Sequence, residues 1–346
     1  MTAQHEPFGT TDEGQTVVRS KLTNQSGNHI SVMNWGASLL EVVTPDRDGN
    51  RVNVNAVYDS LDRYLKPHPG FGSSIGRFCN RIALGRFTID EVDYQVTVNH
   101  GKHCLHGGKT NWSRVFWQTI QQSDDSITYQ YVSPDGDEGF PGEVVATASY
   151  RWSDDNVLTI TYTATTTKPT HVNLTNHSYW NLTGMGAGSV RDHVALIHAN
   201  QFLEVDDALI PTGSLSEVSS TPLDFQHPAT FGQSIDQLFA TKGYDHCYVV
   251  AGFSEENAGQ LRPAALVEDP KSGRTLEIET TQPGMQLYTG NHLGRNERSA
   301  GLGSHDAFCL ETQHYPDAPN HAHFPSTLLR PGQTMREVTT HRFGIV

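Results

Sequence analysis

The chain has 346 residues and a net charge of −14, and that acidity sets it against phosphate backbones and anionic bilayers, so neither nucleic acid nor a membrane is an expected partner. No run of about 18 apolar residues occurs, so no segment reads as a transmembrane helix. The length allows one large domain or two ordinary ones, and all-β sandwiches of this size often stay undivided.

Met1 to Thr16 is polar and lacks the basic-then-apolar order of a secretory leader, which points to a cytoplasmic protein. The four cysteines (Cys79, Cys104, Cys247 and Cys309) form no CxxC pair. They read as small buried side chains rather than as a disulfide framework or a zinc ribbon. Ser60 to Leu65 has the spacing for one or two helical turns. Ile75 to Ile82 follows, with Arg77, Asn80 and Arg81 set among apolar residues. Arginine's planar fork of donors suits vicinal oxygens, although a surface ion-pair segment would look the same. Asn99 to Gly108 is loop-like. There His106 precedes two glycines, which let backbone approach a ligand closely. His100, His103 and His106 lack the helical i, i+4 spacing of a metal pair, so no metal is expected.

Strand signals then recur. Ile127 to Val132, Val144 to Trp152 and Val157 to Thr166 alternate apolar with polar residues. Ser133 to Gly136 and Pro141-Gly142 supply turn chemistry, and Asp154 to Asn156 reads as a hairpin loop. Val172 to Leu182 begins like a strand but carries Asn173, Thr175, Asn176, His177, Ser178 and Asn181 beside Tyr179 and Trp180. Such polar density is costly in a core and natural in a sugar site. Asn173-Leu174-Thr175 also matches a glycosylation triplet, read here as coincidence. Ser234 to Ala240 has the spacing for a further helical turn or two.

In Gly243 to Val250, Asp245 and His246 open a hydrophobic strand. Thr275 to Leu287 reads as one continuous strand, and Met335 to Phe343 as another. In Ala307 to Asn320, Glu311 is expected at the end of an apolar strand, with Gln313 on the same face. A partly buried glutamate has a raised pKa and can act as a general base near neutrality. Long helices and strand–helix alternation are absent, no linker divides the chain, and no repeat is visible. The expected fold is therefore one all-β domain over residues 1–346, a large antiparallel sandwich or barrel.

Taken together the clusters resemble the aldose 1-epimerases. The matching motifs are Gly76–Ile82, Leu105–Gly108, Thr175–Leu182, Tyr244–His246, Pro283–Asn291, Leu310–Gln313 and Pro316–Ala318, flanked by Asn34–Ala37 and Leu329–Gly332. They stand in the family's order. The resemblance implies a β-supersandwich and interconversion of the α and β anomers of free aldoses. It places the catalytic base at Glu311 and the acid at His177, with Asn80, Arg81, His106, Asp245 and Gln286 holding the sugar. Trp180 departs from the family's more common Phe. No cofactor is needed, because a hemiacetal opens and recloses by proton transfers alone. A monomer or homodimer acting on a free monosaccharide is expected. The loop Arg295 to Ser304 could control what enters the cleft.

The same residues admit three rival readings. An epimerase of hexose 6-phosphates should add basic residues, and only Arg77 and Arg81 are visible as a cluster. A glycoside hydrolase would need a carboxylate pair, for which only Glu311 and Asp245 offer themselves. A non-catalytic sugar-binding module would not need both Glu311 and His177.

Overall fold

A computed structural model describes residues 1–346. It is built almost wholly of antiparallel strands, with one short α-helix, Leu61–Leu65, and several single 3₁₀ turns. No helix is long and apolar enough to cross a membrane.

The largest sheet has nine strands, running from Gln118–Gln122 at one edge through Ser126–Ser133, Val144–Trp152, Val157–Thr166, Met335–Ile345, Arg274–Thr280, Arg262–Glu268 and Val194–Ile197 to Ala229–Thr230. Its middle strands show why the sequence folds this way. Along Val144–Trp152 and Val157–Thr166 every second residue is buried. Val144, Ala146, Ala148, Tyr150 and Trp152 face inward beside Leu158, Ile160, Tyr162 and Ala164, as the period of two in a pleated strand requires. The outward face carries threonines that bond across the ladder, such as Thr147 with Thr163 at 2.6 Å.

A five-stranded sheet is formed by the first 53 residues, in the order Thr2–Thr10, Thr16–Thr23, His29–Met33, Ser38–Pro45 and Arg51–Asn53. A second holds Pro211–Glu217, Gln201–Val205, Asp245–Val249, Gly284–Tyr288 and Cys309–Gln313. One apolar cluster of 47 buried residues contains side chains from all three sheets, among them Val32, Trp152, Leu276 and Leu287. The four cysteines are buried and unpaired, as expected.

Two expectations are corrected here. The run Thr275 to Leu287 is two strands in different sheets, Arg274–Thr280 and Gly284–Tyr288. Pro283 has no amide to continue a ladder, so the chain leaves the nine-stranded sheet and enters the five-stranded one. Val172 to Leu182 is strand only at Thr175–Asn176, yet ten of its eleven residues are buried. The side chains of Asn173, Asn176, Ser178 and Asn181 are spent on internal hydrogen bonds. Asn173, for instance, donates to the His314 carbonyl at 3.1 Å and accepts from the His314 amide at 2.9 Å.

Candidate active site

Glu311 lies at the middle of Cys309–Gln313, not at its end as expected, and it pairs in register with Gln286 on Gly284–Tyr288. Gln286 pairs in turn with Cys247 on Asp245–Val249. Three adjacent strands therefore carry Glu311, Gln286 and Asp245 at fixed register. Gln286 Nε2 donates to Asp245 Oδ1 at 2.6 Å. Gln313, two residues beyond Glu311, donates to Gln286 Oε1 at 3.4 Å.

His177 arrives from the irregular segment. Its backbone is held on both sides: its amide donates to the Ser73 carbonyl and its carbonyl accepts from Gly72, each at 2.9 Å. The imidazole lies flat on Tyr179, with ring centres 4.9 Å apart and an interplanar angle of 5°. Its Nε2 is 3.5 Å from Glu311 Oε2. Both side chains are buried, and Glu311 Oε2 and His177 Nδ1 have no hydrogen-bond partner.

Burial, reinforced by the nearby Asp245 charge, pushes the Glu311 carboxyl up to about 8, with Arg81 opposing. Burial lowers His177 to about 4. At neutral pH the pair thus holds one proton between two atoms 3.5 Å apart. Whether it sits on Glu311 or on His177, the net charge is the same.

His106 and Asn80 both adopt left-handed backbone conformations, with φ of 55° and 61°. The Asn80 amide donates to His106 Nδ1 at 3.2 Å. That bond places the ring hydrogen of neutral His106 on Nε2, and burial keeps the ring neutral. The His106 ring meets His177 edge-on at 5.3 Å. Arg81 reaches Asp245 Oδ2 at 3.5 Å and Asn80 Oδ1 at 3.3 Å. All seven residues singled out from the sequence line one cleft of about 680 Å³, within the usual range for small-molecule sites.

Other sequence expectations change. Arg77 does not reach the cleft and is not on the surface. It is buried, and its guanidinium donates to the carbonyls of Pro141, Gly142, Ser133 and Pro134. The oxygens its fork was expected to hold are the protein's own. His103 is also turned away, its Nδ1 accepting from the Leu84 amide. The three donors that do converge are His106, His177 and Glu311, whose ligand atoms lie within 4.8 Å of one another, a set that could chelate a divalent ion. The premise that no basic cluster exists beyond Arg77 and Arg81 fails: Lys109, Arg114 and Arg298 line the same cleft. They are far apart in sequence, so no local run betrays them. Tyr179, Tyr288 and His68 also line it. The first two fall inside motifs noted above, while His68, between two prolines, gave no signal.

The fold is all-β, and its cleft brings the buried Glu311 and His177 side chains to within 3.5 Å of each other. A family model described as aldose 1-epimerase matches residues 19–342. Galactose mutarotase of Bos taurus is 38% identical over 341 residues, covering 98% of this chain and 97% of its own. The aldose 1-epimerase of Escherichia coli (strain K12) is 34% identical over 338 residues, with 96% of each chain covered. The structure of a GalM/aldose epimerase homologue from C. elegans superposes with a TM-score of 0.86 at 28% identity, covering 94% of this chain and 98% of that one. A galactose 1-epimerase structure from Lactobacillus acidophilus NCFM shares the fold, with a TM-score of 0.88 at 24% identity and 99% of each chain covered. The chain belongs to the aldose 1-epimerase family. It is an isomerase that interconverts aldose anomers.

Proposed function

We propose that the cleft opens and recloses the ring of a free aldopyranose of the galactose and glucose class, with Glu311 as base and His177 as acid. Glu311 takes the proton from the O1 hydroxyl as the C1–O1 bond becomes a carbonyl. The C1–O5 bond breaks, and His177 delivers its proton to O5. Rotation about C1–C2 presents the other face of the aldehyde. Reclosure reverses both transfers, so atoms and protons balance and nothing is oxidised.

The observation that carries this reading is the buried Nε2 to Oε2 approach of 3.5 Å between two groups whose pKa values are displaced in opposite directions. The reacting arrangement is carboxylate and imidazolium. The O1 hydroxyl stabilises the carboxylate by donating to it. Ring opening then leaves Glu311 protonated and His177 neutral. That is the uncharged arrangement burial favours, so the site's low polarity assists the open-chain stage. Asp245, Arg81, Asn80 and Gln286 form one bonded network that positions ring hydroxyls. His106 offers its Nε2 hydrogen beside His177.

The deciding experiment follows the optical rotation of freshly dissolved α-galactose. Glu311→Gln should abolish the catalysed change while galactose still binds. Near-normal turnover by that variant would remove Glu311 from the mechanism.

A further inference from the structure

The cleft carries positive charge that the acid–base scheme leaves unused. Lys109, Arg114 and Arg298 line it together with His68. Its two carboxylates, Asp245 and Glu311, both stand on strands of the five-stranded sheet that carries Gln286. This concentration of cations occurs in a protein whose net charge is −14.

Arg114 and Arg298 have no carboxylate partner. Glu297, the acid beside Arg298, is turned to Arg63 at 2.7 Å. The two guanidiniums sense each other, since burial and then the Arg298 charge lower the pKa of Arg114. His68 is buried, and its Nδ1 accepts from the Gly70 amide at 3.0 Å. A backbone N–H can only donate, so the hydrogen of the neutral ring sits on Nε2. That nitrogen is buried and has no acceptor. Burial holds the ring neutral, with a pKa near 3, and the charges of Arg114, His177 and Arg298 act in the same direction.

One buried donor without an acceptor is unfavourable, and the two guanidiniums beside it in the cleft are free to pair with an anion. A single oxyanion placed among them would accept from His68 Nε2 and pair with both guanidiniums. We propose that His68, Arg114 and Arg298 form a subsite for an oxyanion carried on the exocyclic carbon of the sugar, the carboxylate of a hexuronate or the phosphate of a 6-phosphorylated hexose. The placement rests on the assignment of His177 to O5. The exocyclic carbon C6 is bonded to C5, the ring neighbour of O5. A group on C6 therefore emerges on the side of His177, where His68 lies. Arginine forks bind carboxylate and phosphate with two parallel hydrogen bonds.

The test compares galactose, galacturonate and galactose 6-phosphate by polarimetry. It uses a phosphate-free buffer of low ionic strength and subtracts the uncatalysed rate. The wild-type protein is set against Arg298→Gln and against the double variant Arg114→Gln/Arg298→Gln. At least one anionic sugar should show a KM fivefold or more below that of galactose. The double variant should raise that KM tenfold or more, while galactose kinetics stay within twofold. Added sodium chloride should erode the preference. Preference for galacturonate alone assigns a carboxylate, preference for the 6-phosphate alone assigns a phosphate, and preference for both assigns a general oxyanion site.

Equal KM values for neutral and anionic sugars in the wild type would overturn the subsite. So would equal losses for all three sugars in the variants. Arg298 lies on an exposed turn, so its single substitution leaves a folded protein should the double variant fail to fold. Failure to turn over any of the three sugars would instead defeat the proposed ring opening by Glu311 and His177, which keeps the two outcomes distinct.

Discussion

His177 Nε2 and Glu311 Oε2 stand 3.5 Å apart although they come from entirely different settings, one from an irregular buried segment and the other from the middle of a regular strand. Glu311 Oε2 and, on the far side of the imidazole, His177 Nδ1 have no hydrogen-bond partner. Replacing Glu311 by Gln keeps the shape and removes the proposed base. The expected loss in kcat is on the order of 10³-fold, the scale of general acid–base catalysis, with KM changed only a few-fold. His177→Asn should act likewise. Polarimetric kcat and KM for both variants check this.

The pair also fixes the pH profile. Below about 4 His177 gains a second proton for the pair, and above about 8 Glu311 gives up the last one. The proposed mechanism requires one proton shared between them, so kcat/KM should be bell-shaped with limbs near those values. A flat profile between pH 4 and 9 would contradict the shared-proton mechanism.

Asp245 contributes to two properties at once. It faces Arg81 and accepts from Gln286, and its charge helps hold the Glu311 carboxyl up. In Asp245→Asn the acceptor for Gln286 remains, but Arg81 loses its anion. KM should rise about tenfold, a change of about 1.4 kcal/mol. Removing a like charge favours the Glu311 carboxylate, so the alkaline limb should move to lower pH. A purely structural role for Asp245 would leave that limb in place.

Gly72 holds the His177 segment in position. It adopts φ +64°, and a Cβ there would lie 1.8 Å from the Leu39 carbonyl oxygen. Its carbonyl accepts from the Leu39 amide and the Asn176 side chain, while its amide donates to His177. Gly72→Ala should therefore cost on the order of 2–4 kcal/mol of stability and lower kcat by displacing His177. Chemical denaturation and polarimetry of one preparation test both effects.

Buried histidines should govern acid stability. His171, His193 and His341 are each lowered by burial from 6.5 to about 4. A depressed folded-state pKa contributes stability that is fully present above pH 6.5 and is lost as pH falls through 4. Each unit of depression corresponds to about 1.4 kcal/mol, so unfolding free energy should drop steeply between pH 6.5 and 4. Glu311 acts oppositely: its raised pKa gives stability present below 4.5 and lost as pH rises through 8. Guanidinium unfolding at several pH values should show a maximum near neutrality.

Where alternation was strong, the sequence was legible to the residue. Val144–Trp152 and Val157–Thr166 have the bounds expected from their period of two. Thr2–Thr10 gave no such signal because the strand has no buried face, most of its residues being exposed. Thr275 to Leu287 read as one strand because apolar spacing continues across Pro283, and a change of sheet leaves the period untouched. The site residues were legible as motifs, since Glu311, Gln286 and Asp245 each sit within a compact signature. Their union into one network depends on strand pairing between residues 41 and 25 positions apart, which no local pattern encodes. The cationic lining was invisible for the same reason, and Arg77 was misread because its neighbours in space are carbonyls from residues 133–142.

The mid-strand location of Glu311 bears on how such a protein can change. Its carboxylate is held by a ladder of backbone bonds, while Arg114 and Arg298 sit on short turns outside the sheets. Insertions or exchanges in those turns can remodel which sugars are admitted without shifting the proton-transfer atoms. A slip of one residue in the strand would instead turn Glu311 to the opposite face and abolish the chemistry for every sugar at once. Laboratory diversification aimed at new substrates therefore has a natural target in residues 109–114 and 295–304, with the strand Cys309–Gln313 left fixed.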